Sequence, residues 1–328
     1  MTFPSPDRRH FCLQLGAGLA GLSAGATWAS SFPERSIKII VPFAPGAGTD
    51  AMGRLVAGKL AELLKVSVVV DNRTGASGAL GAQEVARAAP DGHTLLLAAA
   101  PFTTVPAALP TAGYDPIASF TPVGMIAHGP LVWAANKDLP ANTLPELVAL
   151  ARSQPGRLNY GSAGVGGINH LVLESLKART GTFITHIPYR GAGPALNDTV
   201  GGQVPIIFDN LPSALPFIQA GKLIPIAVAA PKRLEQLPNV PTFKEVGLEP
   251  VNRMAFFGII GPKGLPKEVV DKVNAGVRKS LEDPAVRKRI EGTGSLIVAN
   301  TPEQFAEQIK AEFEIYKQLV NSRKLKLD

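Results

Sequence analysis

Five short segments of the sequence combine glycine or proline with hydroxyl, carboxylate or amide side chains, the groups that bind small polar ligands. Each segment follows an apolar, strand-like run and precedes a helical pattern. At such a junction the free backbone N–H groups and the positive end of the helix dipole attract anions. The five segments span residues 42–50, 71–78, 161–169, 189–194 and 209–213.

The first segment contains PGAGTD at residues 45–50. It lacks the lysine of a phosphate-binding loop, and no G-x-G-x-x-G motif opens the helix. A small anion is therefore favoured over a nucleotide. The alternative is a tight turn in which Thr49 or Asp50 only caps the helix. The recurrence of the pattern along the chain favours ligand binding.

The third segment lies in NYGSAGVGGINH at residues 159–170. Its glycines leave the backbone N–H groups open to a ligand, Ser162 offers a hydroxyl, and His170 either contacts the ligand or packs nearby. The sequence around Ser162 is not a G-x-S-x-G nucleophile elbow, because Tyr160 stands where the first glycine would be.

Two charged residues stand at predicted strand ends. Arg190 is suited to pairing a carboxylate through two hydrogen bonds, although an ion pair between loops or a solvated side chain explains it equally well. Asp209 is suited to accepting a hydrogen bond from an ammonium or hydroxyl group, or to capping the helix near Ser213.

Composition excludes several classes of function. The net charge is +7, but the basic residues are dispersed apart from residues 286–290 and the C-terminus, so no nucleic-acid binding is expected. The histidines show no metal-binding spacing, and Cys12 is the only cysteine. We therefore expect no metal, no cofactor and no enzymatic activity.

The N-terminus has the features of an export signal. Arg8 and Arg9 precede an apolar run rich in glycine and alanine, which is shorter than the ~20 residues of a membrane span. The arginine pair is typical of a twin-arginine signal. We expect residues 1–29 to be removed after Ala29, or alternatively after Ala26, and the mature protein to be periplasmic.

Strand-like runs of valine, isoleucine and leucine alternate with helical patterns, which indicates an α/β fold with mainly parallel sheets flanked by helices. Thr143 and Glu146 have capping-box spacing at the start of one helix. No flexible linker follows the signal, so we expect the chain to cross between two lobes on strands. The predicted lobes are residues 30–133 with 254–328, and residues 134–253.

These segments, in this order, resemble the substrate-binding proteins of tripartite tricarboxylate transporters, the Bug family. The similarity covers nearly the whole mature chain and includes LNYGSAGVGGINHL (158–171) and HIPYRGAGPALNDTVGGQV (186–204). It implies a monomeric, two-lobed periplasmic binding protein of type II fold. Such a protein closes on a small organic carboxylate in the cleft between its lobes and delivers it to the membrane subunits of the transporter.

The resemblance also implies which residues bind the ligand, mostly through backbone groups and water. They are Phe43, Ala44, Gly48, Thr49 and Asp50 in the first lobe, and Ser162, Gly164, Gly166, Gly167, His170, Tyr189, Arg190 and Asp209 in the second. The family often has serine or threonine where Gly167 stands, so the ligand is expected to differ from those of better-known members.

Two alternatives to a transport protein follow from the sequence. One is an exported hydrolase that uses Ser162 with His170 or His186. The other is a binding protein that presents its ligand to a membrane receptor for sensing. The same ligand clamp serves transport and sensing, so the sequence does not separate these two.

Overall fold

The computed structural model describes residues 32–46 and 48–323. The predicted export signal lies outside these residues. The described strands are β1 (Ile37–Val41), β2 (Val68–Asn72), β3 (Thr94–Ala99), β4 (Phe120–Gly129), β5 (Leu131–Asn136), β6 (Asn159–Ser162), β7 (Thr185–Pro188), β8 (Ile206–Asn210), β9 (Leu223–Ala229), β10 (Ala255–Pro262) and β11 (Leu296–Ile297).

The described helices of eight or more residues are α1 (Gly48–Leu64), α2 (Ala79–Ala86), α3 (Pro101–Ala108), α4 (Leu144–Ser153), α5 (Ile168–Thr180), α6 (Ala192–Val200), α7 (Leu211–Gln219), α8 (Lys267–Glu282), α9 (Pro284–Gly292) and α10 (Pro302–Arg323). The predicted capping box is present at the start of α4, where Thr143 and Glu146 exchange hydrogen bonds. No helix in the described part of the chain is both long and apolar enough to cross a membrane.

Two sheets organise the chain. The first has the strand order β11-β4-β10-β3-β1-β2, and the second has the order β7-β6-β8-β5-β9. We call the parts of the chain built on them the first and the second lobe. The prediction of a two-lobed α/β fold is confirmed.

Four strands of each sheet run in the same direction, as predicted, but both sheets are mixed. Strands β1, β2 and β3 are parallel to one another, as are β6, β7 and β8, but β4, β5, β9, β10 and β11 pair antiparallel with their neighbours. The antiparallel strands include those that carry the chain between lobes: β4 of the first sheet passes through Pro130 alone into β5 of the second.

This crossing also moves the boundary that the sequence suggested. Residues 131–133, which the sequence placed in the first lobe, lie in β5 and pair with β8 and β9 of the second sheet. They are fully buried there. The return crossing lies between the short turn Glu249–Val251 and β10.

The parallel strands position the loops of interest. In each lobe three parallel strands end at the same edge of the sheet, and a helix follows each of them. Ligand sites of open α/β sheets lie at this edge. Strands β4, β5 and β10 of the same sheets carry the chain between the lobes. The two binding edges are therefore connected directly through the sheets.

Candidate functional site

The loops at the two binding edges meet in a cleft that holds two adjoining cavities. The first cavity has a volume of about 380 Å³ and is lined from both lobes, including Thr49 and Pro101 from one side and Ile168 and Pro212 from the other. The second cavity, of about 630 Å³, lies next to it. Both are lined by Phe43, Ala44, Ser77, Ala163, Gly164, Arg190 and Gly191.

Five helices begin at the first cavity. The lining includes Thr49 of α1, Pro101 of α3, Ile168 of α5, Ala192 of α6 and Pro212 of α7, each the first or second residue of its helix. The first turn of a helix has unpaired N–H groups and a partial positive charge. Their convergence makes the cavity attractive to an anion.

Arg190 is the only charged residue among the described residues that line either cavity. It follows β7 and is exposed. It forms no ion pair with an acidic side chain in the described part of the chain. Its charge is therefore available to a ligand, which favours the ligand-binding interpretation over an ion pair between loops.

Asp50 supports the first loop and does not line the first cavity. Its carboxylate accepts hydrogen bonds from Gly46 N, Arg54 Nε and Asn72 Nδ2, each at 2.9 Å. Burial raises the pKa of Asp50, but the hydrogen bonds from Arg54, Gly46 and Asn72 outweigh it and hold that pKa below its usual value. Asn72 also donates to Phe43 O at 2.8 Å, so the same cluster fixes both ends of the loop.

Ser162 and His170 lie behind the glycine-rich loop. Ser162 is fully buried, and its Oγ lies 2.6 Å from His186 Nε2. His170 Nδ1 accepts a hydrogen bond from Gly166 N at 3.2 Å, and its ring stacks on that of His186 at 3.9 Å. Burial lowers the pKa of His170 to about 4 and that of His186 to about 3, so both rings are neutral near pH 7. This buried group holds the loop in shape.

The Ser162–His186 pair does not make a hydrolase. Ser162 has no exposed surface and lines neither cavity, so a substrate does not reach its hydroxyl. The low pKa of His186 makes it a weak general base. In the described part of the chain no carboxylate is hydrogen-bonded to His186 to orient it, as a catalytic triad requires.

The other predicted residues divide between the cavities and the supporting structure. Tyr189 lines the second cavity, and its hydroxyl donates to Asp198 Oδ2 at 2.8 Å. Gly48 and Asp209 line neither cavity. Of the predicted residues, the first cavity is lined by Phe43, Ala44, Thr49, Gly164, Gly167 and Arg190, whereas Gly48, Asp50, Ser162, Gly166, His170, Tyr189 and Asp209 are not in its lining.

The sequence did not indicate several residues of the first cavity. The polar ones are Ser77, Asn169, Asn197, Asn210 and Ser213. They lie inside the predicted segments or in the helix after one of them, so their position near a strand end was the available signal. Residues 99–101 also line the cavity. They are the last residue of β3, Ala100 and the first residue of α3, and this stretch of two alanines and a proline carries no polar signal.

Two hydrogen bonds join the lobes next to the first cavity, whose lining includes Ser77 and Ser213. Ser77 Oγ donates to Val165 O at 2.8 Å, and Gly48 N donates to Ser213 Oγ at 3.4 Å. Ala76 and Ser77 have φ angles of 47° and 53°, a left-handed conformation that is unfavourable for residues other than glycine. The backbone thus adopts a strained turn that places Ser77 against the opposite lobe, so the two lobes are in direct contact across the cleft.

Comparison with known proteins identifies the family. A model of the "Tripartite tricarboxylate transporter family receptor" matches residues 52–325. The chain belongs to this family. The Protein BugT of Bordetella pertussis (strain Tohama I) is 34% identical to this receptor over 310 residues, which are 94% of this chain and 95% of BugT. The family resemblance seen in the sequence is confirmed, and the chain is a solute-binding protein rather than an enzyme.

Solved structures show the same fold. R. palustris Rpa4515 with adipate is 33% identical, with a TM-score of 0.85, over 88% of this chain and 97% of that protein. MatC (Rpa3494) from Rhodopseudomonas palustris with bound malate is 33% identical, with a TM-score of 0.84, over 88% of this chain and all of that protein (100%).

Proposed function

We propose that this receptor captures a small organic carboxylate in the first cavity and delivers it to the membrane subunits of a tripartite transporter. The observation that carries the proposal is the convergence of five helix N-termini on a cavity whose only charged lining residue, within the described chain, is Arg190. Such a cavity neutralises an anion without a cluster of basic side chains. Its volume of about 380 Å³ suits a small molecule.

The relatives support the same class of ligand. Adipate and malate, the molecules named with the two Rhodopseudomonas palustris structures, are both carboxylates. The fold around their ligands and the fold of this receptor agree at TM-scores of 0.85 and 0.84. The family name also connects the receptor with a transporter.

The two lobes act as the units that close on the ligand. We place the hinge at the two chain crossings, around Pro130 and residues 252–254. A ligand that contacts both lobes favours the closed state by its difference in affinity for the two states. The exported, signal-free chain works as a monomer in the periplasm, with the predicted signal of residues 1–29 removed.

Calorimetric titration of the mature protein with a panel of carboxylates tests the proposal. The panel covers dicarboxylates, tricarboxylates, aromatic acids and acidic amino acids, with the corresponding amides as neutral controls. We expect one site per chain, binding of at least one acid and no binding of its amide. The proposal fails if none of the acids binds.

Arg190→Gln and Arg179→Gln form a matched pair for the same assay. Both arginines are exposed and lie in the second lobe, but Arg179 is in the last turn of α5 and lines neither cavity. Loss of a charge-assisted hydrogen bond to a carboxylate costs about 1.5–3 kcal/mol. We therefore expect Arg190→Gln to weaken binding by roughly 10- to 150-fold, and Arg179→Gln to leave it unchanged.

A further inference from the structure

A third cavity adjoins the first one at the loop of residues 42–50, since Gly46 lines both. Its volume is about 420 Å³. Both lobes contribute to it, the first through this loop, α1 and α9, and the second through the start of α7. We call it the arginine cavity, and its lining includes Gly46, Met52, Arg54, Pro212, Arg289 and Ile290.

The arginine cavity is positively charged. Arg54 and Arg289 are the only charged residues among the described residues that line it. Arg54 Nε donates to Asp50 Oδ2 at 2.9 Å, so one carboxylate compensates its charge, yet 53% of the side chain is exposed. Arg289 belongs to the basic run of residues 286–290, is exposed, and forms no ion pair in the described part of the chain. One guanidinium at the cavity is therefore available to an anion from another molecule.

The contact between the lobes shapes the arginine cavity. Beside Pro212 of the second lobe, Gly48 N of the first lobe donates to Ser213 Oγ at 3.4 Å. On α9, Glu291 O accepts a hydrogen bond from Gln236 Nε2 of the second lobe at 2.7 Å. Separation of the lobes would break both bonds and remove Pro212 from the lining. A partner bound in this cavity therefore recognises the receptor with its lobes in contact.

The recessed floor of the cavity favours a protein side chain over a membrane surface. Met52 and Ile290 line the cavity although they are only 5% and 1% exposed, so the floor is apolar. The methylene groups of a glutamate can pack on such a floor while its carboxylate pairs with a guanidinium group through two parallel hydrogen bonds. Lipid headgroups lie in a plane and contact the exposed side chains around a recess instead of its floor.

We infer that the arginine cavity is a docking site for the membrane partner of this receptor, and that an acidic side chain from a loop of that partner enters it. The inference rests on the proposed function and adds the contact by which the receptor is recognised. A carboxylate that pairs with Arg54 competes with Asp50, which also accepts the 2.9 Å hydrogen bond from Gly46 N. Docking therefore acts on a loop that lines the first cavity.

Uptake by whole cells tests the inference. The tightest-binding acid of the titration panel is supplied in radiolabelled form at saturating concentration to cells that carry the transporter. Arg289→Gln, Arg289→Lys or Arg278→Gln replaces the wild-type receptor. Arg278 is the matched control, because it is also exposed but lies on the neighbouring helix α8 and does not line the cavity.

We expect Arg289→Gln to lower uptake by about tenfold or more, since loss of a charge-assisted hydrogen bond to a carboxylate weakens binding by that factor. Arg289→Lys keeps the charge and should retain more uptake than Arg289→Gln. Arg278→Gln should take up the acid at the wild-type rate. Calorimetric affinity for the acid and the thermal midpoint should be unchanged in all three variants, because Arg289 and Arg278 lie outside the first cavity.

Four results overturn the inference. They are unchanged uptake in Arg289→Gln, equal losses in Arg289→Gln and Arg289→Lys, a loss of ligand affinity that parallels the loss of uptake, and charge-dependent binding to lipid. For the last, the purified receptor is sedimented with vesicles of phosphatidylglycerol and phosphatidylethanolamine. Sedimentation of wild type but not of Arg289→Gln would show that the cavity meets the membrane surface.

The proposed function fails by different results. It falls if none of the acids binds, or if cells without the receptor take up the acid as fast as wild-type cells. If the acids bind and uptake requires the receptor, but Arg289→Gln has no effect, only the docking site is refuted.

Discussion

Replacement of Ser77 by alanine is expected to weaken the binding of every ligand by the same factor. Ser77 Oγ makes a 2.8 Å hydrogen bond to Val165 O across the cleft, and separation of the lobes would break this bond. A neutral hydrogen bond contributes a net ~0.5–1.5 kcal/mol, which corresponds to an affinity loss of about 2- to 13-fold. Alanine keeps the backbone restrictions of serine, so the turn itself is preserved.

The assay is calorimetric titration, with small-angle scattering of the liganded protein to follow closure. Ser280→Ala is the matched control, because Ser280 Oγ also donates to a backbone carbonyl, Gly276 O at 2.7 Å, but does so inside α8. We expect Ser280→Ala to lower the thermal midpoint and leave the affinity unchanged. Unchanged affinity in Ser77→Ala, or equal losses in both variants, would refute a role of Ser77 in closure.

Three further predictions concern the same structure. Gly164→Ala should weaken binding at least tenfold in titrations, because the added Cβ would collide with Ser77 Oγ and Gly164 has a φ of 142°. Asp50→Asn should lose the stability that the lowered pKa of Asp50 gives the wild type. Above pH 3.8 the wild type should unfold at a higher temperature than the variant, and this difference should vanish as the pH falls. Burial raises the pKa of Asp209 from 3.8 to about 7, so wild-type stability should fall as pH rises across this interval, and Asp209→Asn should remove that slope.

Each of these predictions has an outcome that contradicts it. Normal affinity in Gly164→Ala would show that the loop adapts to a side chain without loss of closure. A pH-independent difference between wild type and Asp50→Asn would place the effect outside the ionised carboxylate. An equal pH slope in wild type and Asp209→Asn would mean that Asp209 keeps its ordinary pKa.

The sequence predicted where the ligand loops lie, because strand ends and helix starts follow from apolar runs and glycine positions. All five predicted segments contribute to the first cavity. It did not predict which side chains face the cavity. Asp50, Ser162 and His170 point into the supporting structure, where their partners Asn72 and His186 come from other strands or loops. Such pairing depends on the tertiary fold and leaves no local pattern.

The crossings between the lobes were predicted only in part. Strand β4 was missed because Pro122 and Gly124 interrupt its apolar pattern, and both residues are unfavourable in strands. Its pairing with β10 makes the first sheet mixed. A strand that is buried on both faces is apolar throughout, whether it pairs parallel or antiparallel. The sequence of the crossing strands therefore did not show the direction of their pairing.

A crystal structure of the mature protein with its tightest-binding carboxylate tests the central claim most directly. We predict that the ligand lies between the two lobes in the first cavity, with its carboxylate within hydrogen-bonding distance of Arg190 and of N–H groups at the helix N-termini. A ligand bound outside this cavity, or bound there with its carboxylate away from both Arg190 and the helix N-termini, would contradict it.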